Sequence, residues 1–592
     1  MSVLQILTAT LPLLVVAVLL VAALWPATRA MPVAWASAVV VAYLVWEMPV
    51  RWILAASIEG LLVSVQILWI VFAALVLLYT MMRSGAFDVL NRNFASISDD
   101  PRVQVVLVGF FLATFLEGVA GFGTPAAVVA PLLFALGFPA LAAVVVALIG
   151  HVVAVTYGAV GTPIVIGIAE PMESVSAIRT TIEAQGMTTA EFALAVARWA
   201  ATYHALVGVL MPLTAVAVLV YFFGPTDERS VRPALAVWPL CLFAGVAFVV
   251  PYWLSAWLLS AEVPALIGST VGAVAVVSTL RLGYLLPDDE WEFRSATEWP
   301  DHWVGSIRQD DAREVLAGGY EMSPARAWTP YVLLIVFLVV TRSVDSFAAL
   351  LQGESVTVAG FELSLALATV TTSLGEFALG IGRFEWGSIL GTSLANGVEF
   401  AYLPGTWLLL AAVVSIPLFG MSGTQVADAW GEAVSSLHAP LVALAFVLAM
   451  AHVMLHSGAH AAGVDSMIVV LATSTATLFG AAYPFFAAFI GALGAALVGS
   501  NTVSNLTFGP FQFVAAGNLG ISRQLTVASQ AVGGAIGNLV AIHNVVAALA
   551  TVELVGEEGR VVRLTLLPLL GYLVLVGLWS LLFVYVFLPE LF

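Results

Sequence analysis

The stretch TFLEGVAGFGTPAAVV, residues 114–129, sets a carboxylate and a glycine cluster inside apolar sequence. Two kinds of chemistry follow from those residue types. Glu117 can gain and lose a proton, and burying its charge away from water is costly enough to need a functional reason. Gly118, Gly121, Gly123 and Pro125 weaken a helix, and a broken helix leaves unpaired backbone N–H groups that attract an anion. Pro125 suits the first turn of a new helix, because it has no N–H to leave unsatisfied. Glycine lets backbone approach a ligand closely. A second polar run, Gly499-Ser500-Asn501-Thr502-Val503-Ser504-Asn505, offers hydroxyls and amides without net charge. A small carboxylate bearing a hydroxyl suits that combination.

Histidines are the other candidates. His151 and His543 can join a proton relay or donate to a carboxylate. His204 stands alone and reads as core packing. His452, His456 and His460 recur every four residues with Asp465 beyond. The run ends at Gly458, so His460 is not expected to share a helical face with the others. It reads as a helix-end cluster near the membrane interface, and no metal is assigned to it. Glu376 and Glu399 receive no role. The sequence holds no HExxH, no GxSxG at a strand-to-helix turn and no phosphate-binding loop, so neither an enzyme nor an ATP-driven pump is indicated. No cofactor is implied.

The elements that must position these groups are membrane helices. Of 592 residues, 61% are hydrophobic and 9% charged. Apolar stretches able to cross hydrocarbon recur throughout, as at 3–25, 234–257, 327–341 and 564–588. The first lacks a preceding basic segment and reads as a helix, not a cleaved signal. The single cysteine, Cys241, excludes an internal disulfide and reads as a buried thiol. All 19 basic residues are arginine, against 36 acids, giving a net charge of −17. Such a chain does not bind nucleic acid. The acidic stretch 282–326, with Asp288, Asp289, Glu290, Asp310, Asp311, Glu314 and Glu321, reads as a solvated loop. Acid-rich, lysine-free sequence suits a cell living in concentrated salt.

Arginine placement orients the chain. With helices near 3–25, 32–48 and 53–82, Arg29, Arg83, Arg92 and Arg102 share one face and Arg51 takes the other. That puts the four in the cytoplasm and the N-terminus outside, in the cell membrane. Segment 104–137 is too long for one crossing and is expected to be a re-entrant hairpin, followed by a broken helix over 139–169. Segments 485–518 and 520–551 are expected to repeat this from the opposite side. The echo pairs Phe122-Gly123-Thr124-Pro125 with Phe508-Gly509-Pro510, and Gly158-Ala159-Val160-Gly161 with Gly534-Ala535-Ile536-Gly537. Residues 345–420 read as two crossings, or as surface helices plus one. The expected fold is an all-α polytopic membrane protein of about 12–14 transmembrane helices with two re-entrant hairpins in an inverted-topology repeat. Its single transporter domain has halves 1–281 and 327–592, separated by the acidic cytoplasmic loop 282–326.

At these residues the chain resembles the lactate permease family. FLEGVAGFGTPAAVVAPLLFALGFPALAAVVVALIG (115–150) and YGAVGTPI (157–164) look like its first signature. GSNTVSNLTFGPFQ (499–512), GISRQLTVASQAVGGAIGN (520–538) and VELVGEEGRVVRLTL (552–566) look like its second, and RAWTPYVLLIVFLVVTR (326–342) also matches. The resemblance implies secondary uptake of L-lactate, D-lactate and glycolate driven by proton symport. The sequence departs from the family where Asn501 replaces a usual Asp, Asn538 a usual Lys, Ala541-Ile542-His543-Asn544 a usual Ser-Pro-Gln-Ser, and His151 a usual Asn. An acid and a base are lost together, as if an ion pair had been exchanged for a neutral pair.

The residues nominated to contact substrate are Gly121, Gly123, Thr124, Tyr157, Gly158, Gly161, Ser500, Asn501, Thr502, Ser504, Asn505, Gln530, Asn538 and His543. Glu117 and His151 are nominated for proton coupling. The partners expected are a small organic anion, H+ (or Na+) and the lipid bilayer, with room for a homo-oligomer. A sodium-coupled carboxylate symporter and a passive organic-anion channel are the competing functions. Glu117 argues against the channel, since a fixed negative charge repels anions.

Overall fold

The computed structural model describes residues 3–23, 25–95, 97–121, 123–225, 229–289, 291–304, 322–358 and 361–592. Phe122, Glu290, Asp310, Asp311, Glu314 and Glu321 lie outside these. The protein is a helical, multi-pass membrane protein. Among the described residues, 11 helices are long and apolar enough to cross a bilayer, or up to 13 if each of two bent pairs is one span. The bent pairs are Thr189–Gly208 with Met211–Phe223, at 42°, and Arg523–Val540 with Ile542–Ala550, at 43°.

Burial grades the helices from rim to centre. In the most apolar window of Val3–Leu20, 17% of residues are buried; in those of Pro101–Val119 and Ala140–Ser174, all are. The outer helices therefore present apolar side chains to lipid, while the glycine-rich segments sit in the middle. Their packing is close. A Cβ on Gly150 would lie 1.6 Å from the carbonyl oxygen of Gly109, and one on Gly533 would lie 1.9 Å from that of Ala488. Small residues permit such backbone contact between membrane helices.

The first interrupted segment runs as helix to Val119, breaks at Gly121 and Gly123, both with positive φ, and resumes as Thr124–Ala135. Ala140–His151 follows, tightens into a 3₁₀ stretch over Val152–Tyr157, and breaks at Ala159, Val160 and Gly161, all with positive φ. A β-branched residue such as Val160 (φ 56°) is strained there. In the second half, Tyr483–Val498 ends at Gly499 (φ 71°), and Asn501–Leu519 begins with Ser500 as its N-cap. Arg523–Gly537 and Asn538–Val540 then lead to an extended residue, Ala541, before Ile542–Ala550.

Two expected break points are corrected. Phe508-Gly509-Pro510 lies inside a continuous helix, and the second tip is at Gly499-Ser500. Gly534-Ala535-Ile536-Gly537 is helical, and the second break is at Ala541. The glycines there are spent on packing: a Cβ on Gly537 would lie 2.3 Å from the carbonyl oxygen of Ala492. Pro510 is tolerated because neighbouring helices bury the backbone it frees.

Region 345–420 holds neither two crossings nor a set of surface helices. After a short helix, Asp345–Leu351, come β1 (Val356–Val358) and β2 (Phe361–Leu363), which pair antiparallel. Next come β3 (Ala366–Thr372), β4 (Gly375–Gly380), β5 (Arg383–Gly387) and β6 (Asn396–Val398), an antiparallel meander in that order. One apolar helix, Pro404–Phe419, follows. Valine, threonine and phenylalanine, split by glycine turns, favour strands despite their hydropathy. The meander packs along the first half of Val50–Arg83: Arg51 near the start donates to the Leu390 carbonyl, and Gln66 midway donates to that of Gly397 at 2.7 Å.

The opposite end is tied by Arg102, which is fully buried. It pairs with Asp100 at 2.7 Å and Asp289 at 3.2 Å, and donates to the Pro233 carbonyl at 3.1 Å. The guanidinium hydrogen bonds hold the Asp289 carboxyl below its ordinary range. Removing one partner of a buried pair costs about 3–5 kcal/mol. Because Asp289 is half-exposed, R102Q should fall near the lower end, read as an earlier thermal unfolding midpoint in detergent. An unchanged midpoint would show that this cluster does not hold the fold.

Candidate functional site

The two tips and the two breaks meet. Glu117, Gly121, Gly123, His151, Gly158 and Pro163 from the first half face Gly499, Ser500, Asn501, Thr502, Asn538 and Asn544 from the second around one small cavity. Its free volume is about 20 Å³, enough for about one water molecule. Four helix N-termini border it: those of Thr124–Ala135, Asn501–Leu519, Ile542–Ala550, and the arm resuming after Gly161. Each brings unpaired N–H groups and a positive dipole end. Helix C-termini end there as well, near Glu117 and at Gly499.

Glycines make the cavity possible. A Cβ on Gly158 would lie 2.1 Å from Oε1 of Glu117, so the carboxylate rests against bare backbone. A Cβ on Gly123 would lie 2.3 Å from Oδ1 of Asn544. Gly123 caps its helix with φ 78°, a second reason for glycine there.

The polar groups are incompletely satisfied. Asn544 donates to Oδ1 of Asn538 at 2.9 Å, and Asn538 donates to the Gly534 carbonyl at 3.0 Å. Asn501 is buried with neither side-chain atom hydrogen-bonded, and Oδ1 of Asn544 is likewise unpaired. Nδ1 of His151 lies 2.8 Å from the Ala147 carbonyl, which fixes its proton on Nδ1 and leaves Nε2 for the cavity side. Buried amides without partners are rare and point to a ligand or water.

Several nominated residues lie outside this ring. Tyr157 donates to the Ala197 carbonyl and packs edge-on against Tyr252. Gly161 lies against the Ala261 backbone. Ser504 donates to the Gly491 carbonyl at 3.0 Å and receives from Gln530 at 3.1 Å, and Gln512 donates to Gln530 at 3.1 Å. This network binds the second hairpin to the helix behind it. Asn505 donates to the Pro163 carbonyl at 3.0 Å and so joins the halves. Thr124 opens its helix without lining the cavity. The His543 ring fills the space beside Gly499. His204 bridges Thr156 and Tyr572, each at 2.7 Å. Val155, Ala159, Pro163, Gly499 and Asn544 also line the cavity and are not among the nominated residues. Of these, Asn544 stood within the departing Ala-Ile-His-Asn stretch, which was the signal available.

A much larger open vestibule, about 1130 Å³, lies beyond the cavity. Ile164, Val165 and Ile166 line it, whereas the preceding Pro163 lines the small cavity, so the arm after Gly161 stands between the two. Arginines in the vestibule are paired: Arg342 with Glu262 at 2.6 Å, Arg179 with Glu173 at 3.1 Å, and Arg383 with Glu385 at 2.9 Å.

A model of the L-lactate permease family matches residues 5–587. A putative L-lactate permease of Haemophilus influenzae is 30% identical over 85% of this chain and 84% of its own length. The Bacillus subtilis L-lactate permease is 29% identical, covering 85% and 82%, and the Escherichia coli glycolate permease is 28% identical, covering 87% and 84%. Among solved structures, the MtrF efflux pump of Neisseria gonorrhoeae aligns over 87% of this chain and 81% of its own, at 14% identity and a TM-score of 0.39. A family match spanning nearly every residue, including both tips and both breaks, makes this chain a member of the L-lactate permease family.

Proposed function

We propose that this protein is a secondary active transporter that takes up lactate, or a related short 2-hydroxy monocarboxylate such as glycolate, by proton symport. It lies in the cell membrane with its N-terminus outside. The observation that carries this reading is the convergence of four helix N-termini and a buried carboxylate on one cavity between the two halves. Helix N-termini and free amide donors suit the substrate carboxylate, while Glu117 and nearby helix C-termini suit a cation. The names of the lactate and glycolate permeases it resembles support the substrate class.

In this reading, the halves form an inverted-topology repeat. Segments 104–137 and 485–518 are its re-entrant hairpins, and 139–169 and 520–551 its broken helices. The cavity is too small for lactate, so the structure represents a closed state. Opening requires the arm after Gly161 to leave its place between vestibule and cavity. The proton sits on Glu117 when substrate enters, so the site is never asked to hold two bare negative charges.

Reconstitution in liposomes tests the function. Labelled lactate should accumulate above equilibrium under an imposed pH gradient alone. A requirement for a sodium gradient would replace the proton, entry that only equilibrates would indicate a channel, and no entry of any 2-hydroxy acid would reject the substrate.

E117Q should mimic the protonated carrier. It should keep lactate–lactate exchange but lose accumulation driven by the pH gradient. Unchanged accumulation would remove Glu117 from the coupling.

Asn501 and Asn538 are the positions where the family usually has an acid and a base. Both abut Gly534: Asn538 donates to its carbonyl, and a Cβ there would lie 2.1 Å from Oδ1 of Asn501. A charge placed on either alone is uncompensated, at about 3–5 kcal/mol. N501D and N538K singly should therefore cut uptake by at least about 100-fold, and the double variant should recover most of it. Failure of the double variant to recover would show that the two positions do not act as a pair.

A further inference from the structure

A second cluster of buried ionisable groups lies outside the proposed transport cavity. Glu59, on Val50–Arg83, is fully buried, as is His452 on His438–His456; His456, one turn on, is 3% exposed. Nε2 of His456 lies 3.0 Å from Oε2 of Glu59, and Nδ1 of His452 lies 3.7 Å from the same oxygen. The three ligand atoms all fall within 4.8 Å of one another. His460 falls past the helix end and does not join them.

These atoms have no hydrogen-bond partner: both oxygens of Glu59, both ring nitrogens of His452 and Nε2 of His456 are buried and unpaired. The 3.0 Å contact is therefore close without being aligned as a hydrogen bond. Lone pairs that approach one another without pointing at one another are what ligands of a common ion show. Two histidines at i and i+4 with a carboxylate from a second helix form a transition-metal donor set.

The surroundings complete the set. Nε2 of His452 faces Oε2 of Glu170 at 3.8 Å, and Asn396 of the β meander holds the other oxygen of Glu170. At 3.8 Å the two are not hydrogen-bonded as they stand; a carboxylate that closes on a ligating imidazole fixes its tautomer and raises its basicity. His456 and Glu170 border the vestibule, whose wall also carries Asp465, so the cluster meets open space on one side.

We propose that Glu59, His452 and His456 form a binding site for a divalent transition metal of the zinc class, with Glu170 orienting His452. The site joins two helices of the surrounding bundle. Through Glu170, on Ala169–Ser174, it also reaches the far end of the arm that begins at the Gly158–Gly161 break. Bound metal would hold that arm against its neighbours, so metal and arm movement compete.

The test uses the whole purified protein in detergent, with Zn2+ and Co2+ alone as probes. Calorimetry should find one Zn2+ per chain, and Co2+ should give the intense visible bands of a tetrahedral nitrogen–oxygen site. H456A and H452A should abolish both signals. E170Q should keep the bands but weaken Zn2+ binding by about 10-fold, as expected of a carboxylate behind the ligand. A triple variant, H302A/H438A/H460A, should bind as the parent does. If the parent shows no Zn2+ binding and Co2+ stays in its octahedral aqueous form, the proposal fails, and the cluster holds protons instead. Binding that survives loss of both His452 and His456, or disappears in the triple variant, overturns it equally. The parent's own Co2+ spectrum decides the matter if the histidine variants fold poorly.

Discussion

A helix that breaks in hydrocarbon exposes amides and carbonyls that lipid cannot satisfy. That constraint arranges this molecule. The segments with broken backbone occupy the centre, where all residues of Pro101–Val119 and Ala140–Ser174 in their most apolar windows are buried. Regular helices such as Val3–Ala17 stand at the rim. The freed groups are turned toward one another and toward a single small cavity, where they become a recognition surface instead of a liability. Strained residues such as Ala159 and Val160 persist because the packing around them is tight enough to hold them.

The same constraint explains why the cavity is polar without being charged, apart from Glu117. Helix ends supply partial charges at no desolvation cost beyond their own, so amides and hydroxyls suffice around them. Asn501, Asn538 and Asn544 and the ring of His151 all line this space.

Much of this was legible beforehand. Glu117, Gly121, Gly123, Gly158, Ser500, Asn501, Thr502 and Asn538 could be nominated, because charge and glycine in apolar sequence have few structural uses. The second half was read less well. Gly534 and Gly537 looked like a break and prove to be a packing seam, since a glycine in a membrane helix serves either purpose and sequence spacing does not separate them. The β meander was missed because its valines and phenylalanines raise hydropathy as a helix would. Glu59 carried the same signal as Glu117, a carboxylate inside an apolar helix, but nothing in the sequence pointed to its partners. It lies 393 positions before His452 in the chain (452 − 59), and only the fold brings the two together.

The arm that runs from the first break links Glu117 to Glu170. Gly158 rests on the Glu117 carboxylate at its start, Asn505 of the other half holds the Pro163 carbonyl partway along, and Glu170 faces His452 near its end. An element fastened at three such points cannot shift at one without disturbing the others. Neutralising Glu117 loosens no covalent tie, yet it changes what Gly158 packs against. Occupying the histidine cluster changes what Glu170 faces. Coupling between a cation and an organic anion needs an element whose position both of them bias. This arm borders the proposed transport cavity with one end and the vestibule with the other, the placement such an element needs.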